Sequence, residues 1–109
     1  MEIQQQEIKG TGIRLALHDN GKEVARVRLY FIENDLRSQP YALVEDLFVD
    51  EAYRGQGLGR MMMEQAIAEA RKAGCYKILA TSRHSREQVH EFYLKLGFQE
   101  WGKEFRMEL

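Results

Sequence analysis

The sequence predicts an α/β domain built from a mixed, mainly antiparallel sheet and two principal helices. Three observations carry that prediction. Two apolar runs with strict two-residue alternation are joined by an Asn-Gly turn. A helical apolar stripe beginning at Leu58 lies between two strand-like runs, which is the order of a parallel crossover. A second helical stripe follows and ends at Gly97.

In chain order, Ile13, Leu15 and Leu17 alternate with Arg14, Ala16 and His18, then Ala25, Val27, Leu29 and Phe31 alternate with Arg26, Arg28 and Tyr30. Between them Asn20-Gly21 accepts the positive φ angles of a tight primed turn, so the two strands should pair antiparallel. Residues 34–40 are polar and include Pro40, the only proline, and a third strand over residues 41–49 extends the meander. It contains Glu45-Asp46, which simple alternation places on opposite faces. The helix from Leu58 aligns Met62, Ala66, Ala70 and Ala73 and stops at Gly74. Residues 76–82 read as a mostly buried strand. Ser85 and Gln88 have the spacing of a capping box, after which Val89, Phe92, Tyr93 and Leu96 form one helical face. Residues 98–101 and 104–109 read as a final hairpin, with Phe105, Met107 and Leu109 alternating against charges.

A chain of 109 residues with 44% apolar content suits one domain over residues 1–109. Sixteen Lys plus Arg against seventeen Asp plus Glu leave a net charge of -1, without the basic excess that a phosphate-backbone partner requires, so no nucleic acid is expected. The polar, Gln-rich first ten residues hold no apolar h-region and no run is long enough to span a bilayer, so a cytoplasmic protein without a membrane partner is expected. Cys75 is the only cysteine, which excludes an internal disulfide and a Cys-based metal cluster. His18, His84 and His90 have no metal-ligand spacing, so no metal is expected either.

The most informative stretch is Arg54-Gly55-Gln56-Gly57-Leu58-Gly59-Arg60, between a strand and a helix. Alternate glycines remove Cβ atoms where the chain turns, so backbone N-H groups can converge on an anion at the positive end of the helix dipole. Arg54 and Arg60 flank that cradle with fixed positive charge suited to a pyrophosphate. A Walker A loop would need Gly-Lys-Ser/Thr, which Leu58-Gly59-Arg60 does not supply. A dinucleotide fingerprint would need its third glycine one residue later and a βαβ unit at the start of the domain. A turn without a ligand is the bland alternative, and three glycines plus two arginines at one helix start argue against it.

On these residues the sequence resembles the GNAT superfamily of N-acetyltransferases, whose signature Arg/Gln-x-x-Gly-x-Gly/Ala is matched from Arg54 to Gly59. A second element, Phe92-Tyr93-Leu94-Lys95-Leu96-Gly97-Phe98, resembles the family's Phe-Tyr-x-x-x-Gly-Phe. Glu45-Asp46-Leu47-Phe48-Val49 is similar to the spermidine/spermine N-acetyltransferase branch. The resemblance implies acetyl-CoA as cosubstrate and a small-molecule or peptide primary amine as acceptor. It places the pyrophosphate on Arg54, Gly55, Gln56, Gly57, Leu58, Gly59 and Arg60, and the thioester arm beside the backbone of Leu47, Phe48 and Val49. Tyr93 would protonate the leaving thiolate, Glu45 would take a proton from the ammonium, and Asp46 would attract a cationic acceptor. Arg86 stands where the family often has Asn, and a solvent-facing role suits it better. Family members place two helices between their first and second strands, and residues 1–11 leave no room for them before the first strand here. That implies a short member with an open acceptor groove, completed by a second subunit in a homodimer. The competing functions are a non-catalytic acyl-CoA-binding or regulatory module and, more remotely, an unrelated nucleotide-binding module.

Overall fold

The computed structural model describes every residue except Lys9. Its elements are β1 (Gly10–Asp19), β2 (Lys22–Ile32), β3 (Tyr41–Val49), a 3-10 turn (Glu51–Tyr53), α1 (Leu58–Lys72), β4 (Ile78–Leu79) and α2 (Glu87–Leu96). The sheet order is β1-β2-β3-β4. The first three strands are antiparallel, and β4 joins parallel to β3 through Ala42↔Ile78 and Leu43↔Leu79. This is the mixed, mainly antiparallel sheet with two helices that the periodicities require.

Asn20 and Gly21 both adopt positive φ, 50° and 80°, the primed geometry that continues the right-handed strand twist from β1 into β2. Ala25, Val27 and Leu29 turn to one face of β2 and are buried, while Arg26 and Arg28 occupy the other face. The buried face meets Ala42 and Val44 of β3 and Met62, Met63, Ala66 and Ala70 of α1. Small alanines on α1 let the helix lie close against the sheet, and Met63, fully buried, fills the irregular gap between them.

Four sequence expectations are corrected. Glu45 and Asp46 do not straddle the sheet. A β-bulge opposes Asp46 and Leu47 to the single residue Val27, and Asp46 takes φ 58°. Core positions therefore run Ala42, Val44, then Leu47, Val49, and both acidic residues are exposed. The strand expected over 76–82 pairs only at Ile78–Leu79, because β3 bends at its bulge and leaves β4 without a ladder partner beyond Leu43. The capping box does not form. Arg86, one residue past Ser85, is the N-cap of α2 and makes no side-chain cap bond, although its carbonyl accepts from Val89 and His90. Finally, residues 98–109 form no hairpin. Beyond Phe98 they are exposed, and a strand without a ladder partner has no hydrogen bonds to hold it. The radius of gyration, 16.1 Å, exceeds the roughly 13 Å of a compact chain of this length, in keeping with exposed segments at 1–8 and 99–109.

Candidate active site

The bulge in β3 and the split between β3 and β4 create the site. After Leu43 the edge of β3 that faces β4 has no strand partner, although β3 continues to Val49. Its backbone N-H and C=O groups there are open to an extended ligand, in the manner of an added strand. The free edge leads directly into the glycine turn.

That turn is held by polar tethers to the β1–β2 hairpin. The amide of Asp50 donates to the carbonyl of Val24 at 2.8 Å, and the Asp50 carboxylate caps the 3-10 turn through the amide of Ala52 at 3.0 Å. This amide and then Lys22 hold the Asp50 carboxyl below its usual range. The Tyr53 hydroxyl donates to Asp19 Oδ2 at 2.8 Å. Arg54 is exposed but tied back along the turn: its Nε donates to the Val49 carbonyl at 2.9 Å and its guanidinium lies 5.7 Å from the Phe48 ring centre. The side chain expected to meet a phosphate directly thus also closes the turn against the end of β3.

Gly55 and Gly57 adopt φ 81° and 79°, the left-handed region where a side chain is strained, and a Cβ at either would meet no atom within 4 Å. Packing does not demand these glycines; backbone conformation does, and the space beside them is open. Among the described residues, no amide from Gly55 to Arg60 donates to a backbone carbonyl. The first helical N-H groups of α1 are orphaned as helix geometry requires and point where an anion is favoured. This arrangement fits a pyrophosphate. Arg60, at the same end, pairs with Glu64 at 2.8 Å on the solvent side. A cleft of about 230 Å³ bordered by Arg60, Glu64, Ile67, Arg71 and Leu96 continues from there between α1 and α2.

Helix α2 approaches the turn through aromatic packing. A Cβ at Gly59 would sit in ordinary van der Waals contact, 3.7 Å from the Phe92 ring and 3.8 Å from Val49, so α2 packs close beside the start of α1. Phe92 contacts Tyr93 edge-on with ring centres 5.4 Å apart, and Phe98 packs on the other side of Tyr93 at 5.3 Å. Partial burial raises the Tyr93 phenol above its ordinary value, which keeps it protonated across the physiological range. Leu47, Val49, Phe92 and Tyr93 all border the same core, so the end of β3, the glycine turn and α2 are brought together.

Glu45 and Asp46 lie apart from that seam on the uncovered face of the sheet. Arg26 Nε donates to Asp46 Oδ2 at 2.8 Å, and Arg28 Nη1 donates to the same oxygen. These guanidiniums, Arg26 foremost, lower the Asp46 carboxyl. Its charge is thereby matched within the protein. Glu45 sits opposite Arg28 in the β2–β3 register and makes no ion pair among the described residues. Phe48 faces the same side, with the Arg26 guanidinium 4.5 Å from its ring centre.

Sequence reasoning missed the tethers Asp19, Asp50 and Tyr53, whose signal was faint: Asp-x-x-Tyr immediately ahead of a glycine turn. It also missed Ser82, whose buried hydroxyl oxygen has no hydrogen-bond partner among the described residues. A buried orphan of this kind beyond the end of β4 marks a place where a ligand or water can complete the bonding.

The split edge of β3 thus runs directly into a glycine-cradled helix start. The chain belongs to the acetyltransferase (GNAT) family, whose pattern it matches over residues 2–98. It is 38% identical over 66 residues to the glucosamine 6-phosphate N-acetyltransferase of Trypanosoma brucei brucei, a match covering 61% of this chain and 43% of that protein. It is 33% identical over 100 residues to an aminoglycoside N(6')-acetyltransferase type 1 of Stenotrophomonas maltophilia, covering 87% and 65%. Among solved structures, a putative acetyltransferase of Agrobacterium tumefaciens shares 35% identity with a TM-score of 0.81, covering 86% of this chain and 66% of the other. The chain thus spans from about two fifths to two thirds of the length of these relatives. No helix among the described residues is long and apolar enough to cross a membrane.

Proposed function

We propose that the protein is an N-acetyltransferase that moves an acetyl group from acetyl-CoA to a primary amine. The observation that carries this reading is the continuity of the free β3 edge with the unpartnered amides of Gly55 to Arg60. A pantetheine arm can lie along Leu47, Phe48 and Val49 while the pyrophosphate rests on the turn, so both ends of one cofactor meet backbone donors without displacing a side chain. Acetyl-CoA supplies an activated thioester carbonyl.

The remaining work belongs to the chain. The tethered turn fixes the phosphate end, which positions the reacting carbonyl relative to α2. Tyr93, held between Phe92 and Phe98 and kept protonated by burial, donates its phenolic proton to the departing sulfur. Asp46 serves the acceptor indirectly. Its ion pairs set Arg26 and Arg28 around the bulge, leaving Glu45 as the open carboxylate of the pair.

The acceptor class follows the relatives. Amines on hydroxylated scaffolds, such as glucosamine 6-phosphate and aminoglycosides, are favoured over spermidine and spermine. An acetyl-CoA-dependent thiol-release assay across glucosamine 6-phosphate, an aminoglycoside, spermidine and a lysine peptide tests the reaction and ranks these acceptors. Gly57→Glu is the binding control. A carboxylate side chain at a left-handed position in the cradle should abolish acetyl-CoA binding in calorimetry. Parent-like affinity in that variant would remove the turn from the site, and acetyl-CoA binding without turnover on any amine would favour a binding module instead.

A further inference from the structure

Ser82 stands just past the end of β4, and the mechanism above gives it no task. Burial there keeps the two-residue alternation of an extended chain: Ile78, Ala80 and Ser82 are half-buried, while Leu79, Thr81 and Arg83 are exposed. Ile78 and Ala80 pack against the core, so Ser82 continues their row on the face that the helices cover. The next residue is tied down. The Arg83 carbonyl meets His90 Nε2 at 2.8 Å and accepts from the amide of Arg86 at 3.1 Å, which links this segment to the helix that carries Tyr93. A buried hydroxyl with no partner among the described residues costs the fold free energy. Such a group is retained where a bound molecule completes its bonding.

Position along the split singles out that molecule's bonding group. β3 and β4 last pair at Leu43↔Leu79, and three residues further along each strand stand Asp46 and Ser82. At ~3.3 Å per residue, Ser82 is roughly 10 Å past the fork and level with the bulge of β3. On the acetyl-CoA reading, the pyrophosphate rests on the turn after Val49 and the arm runs back along Val49, Phe48 and Leu47 toward the fork. The thioester, at the far end of that arm, then comes between the bulge and Ser82. A serine nucleophile would need a hydrogen-bonded base, and Ser82 has none among the described residues. Donation of a hydrogen bond is the role left to it.

We infer that the Ser82 hydroxyl donates to the carbonyl oxygen of the acetyl thioester, as the β4-side member of an oxyanion site completed by amides of the free β3 edge. The inference rests on the acetyl-CoA reading. When the amine nitrogen bonds to the carbonyl carbon, the C=O electron pair moves onto oxygen, where Ser82 and the edge amides stabilise the charge. The nitrogen sheds its extra proton to water. When the C–S bond breaks, the pair on oxygen returns to remake C=O and the Tyr93 proton passes to sulfur. Ser82 keeps its own proton throughout.

Ser82→Ala removes the donor and little else. Turnover with an accepted amine should fall by ~10²–10³-fold while acetyl-CoA affinity in calorimetry changes little, because the bond strengthens as charge develops on oxygen. The urea midpoint should hold or rise, since the fold loses no bond and is relieved of a buried hydroxyl. A merely structural role would lower that midpoint. Infrared spectra of carbonyl-labelled acetyl-CoA supply a readout that needs no acceptor: the bound thioester C=O stretch should lie below the free value in the parent and move back toward it in Ser82→Ala. The same stretch in both proteins, parent-like turnover, or a destabilised variant would each overturn this inference alone. A parent that does not bind acetyl-CoA would overturn both it and the reading on which it rests.

Discussion

Residues 41–60 and residues 87–109 face each other across the proposed active site, and they are held in different ways. The first region is fixed by directional bonds: a bulge at Asp46, a carboxylate cap at Asp50, a Tyr53–Asp19 hydrogen bond, an Arg54–Val49 bond and two glycines in the left-handed region. The second is fixed mainly by apolar contact, with Phe92, Tyr93, Leu96 and Phe98 against the core and one side-chain tether, His90 Nε2 to the Arg83 carbonyl at 2.8 Å, and beyond Phe98 it is exposed. The difference follows from the tasks proposed for each. A backbone that must present N-H groups to an anion cannot use them for its own fold, so its shape has to be set by side-chain tethers from outside. A phenol that must stay protonated benefits from apolar neighbours and needs few polar ones.

The comparison can be broken at its chemical end first. Tyr93→Phe keeps the ring between Phe92 and Phe98 and removes one proton, so turnover should fall by ~10²–10⁴-fold while acetyl-CoA affinity and fold persist. Steady-state kinetics paired with calorimetry decides it. A rate within about twofold of the parent at unchanged affinity, far short of that loss, would leave Tyr93 a packing residue only.

Packing gives the next largest effect. Met63 is fully buried under the sheet, and Met63→Ala should cost ~2–5 kcal/mol in urea unfolding. Leu96 on α2 is only partly buried, and Leu96→Ala should cost about half as much, since the cost scales with the apolar surface removed from water. Equal costs would mean that α2 belongs to the same rigid core as α1.

The smallest effect concerns the bulge. The folded Asp46 carboxyl titrates below its ordinary value near 3.8, so its contribution to stability is present above that pH and is lost as pH falls through the lowered value. Asp46→Asn should therefore flatten the acid limb of stability below about pH 4, by less than about 1 kcal/mol because the pair is exposed and screened. Denaturation curves on either side of that pH would show it. A variant with the parent's acid limb would assign the bulge to backbone preference rather than to its two arginines.

Much of this was readable from the residues. Asn20-Gly21 permits positive φ and so announced the hairpin, and Arg54 to Arg60 announced the turn, because glycine content and a helical stripe are local properties. The bulge was not readable, since Glu45 and Asp46 alternate as well as any strand residues until Arg26 and Arg28 draw Asp46 to their own face. The 98–109 segment misled for a related reason. Its alternation is real, but alternation states which face would be buried and is silent about where the partner stands.

The amino-acid sequence by itself determined the strand and helix periods, the primed turn and the glycine cradle, all of which rest on conformational preferences spanning a few neighbouring residues. The tertiary structure alone decided that β3 and β4 part after Leu43, that Phe92 meets Gly59, that Asp46 is spoken for by two guanidiniums while Glu45 stays open, and that residues 105–109 stay exposed. Each of these depends on contacts between residues far apart in the chain, and such contacts exist only once the sheet has brought them to one place.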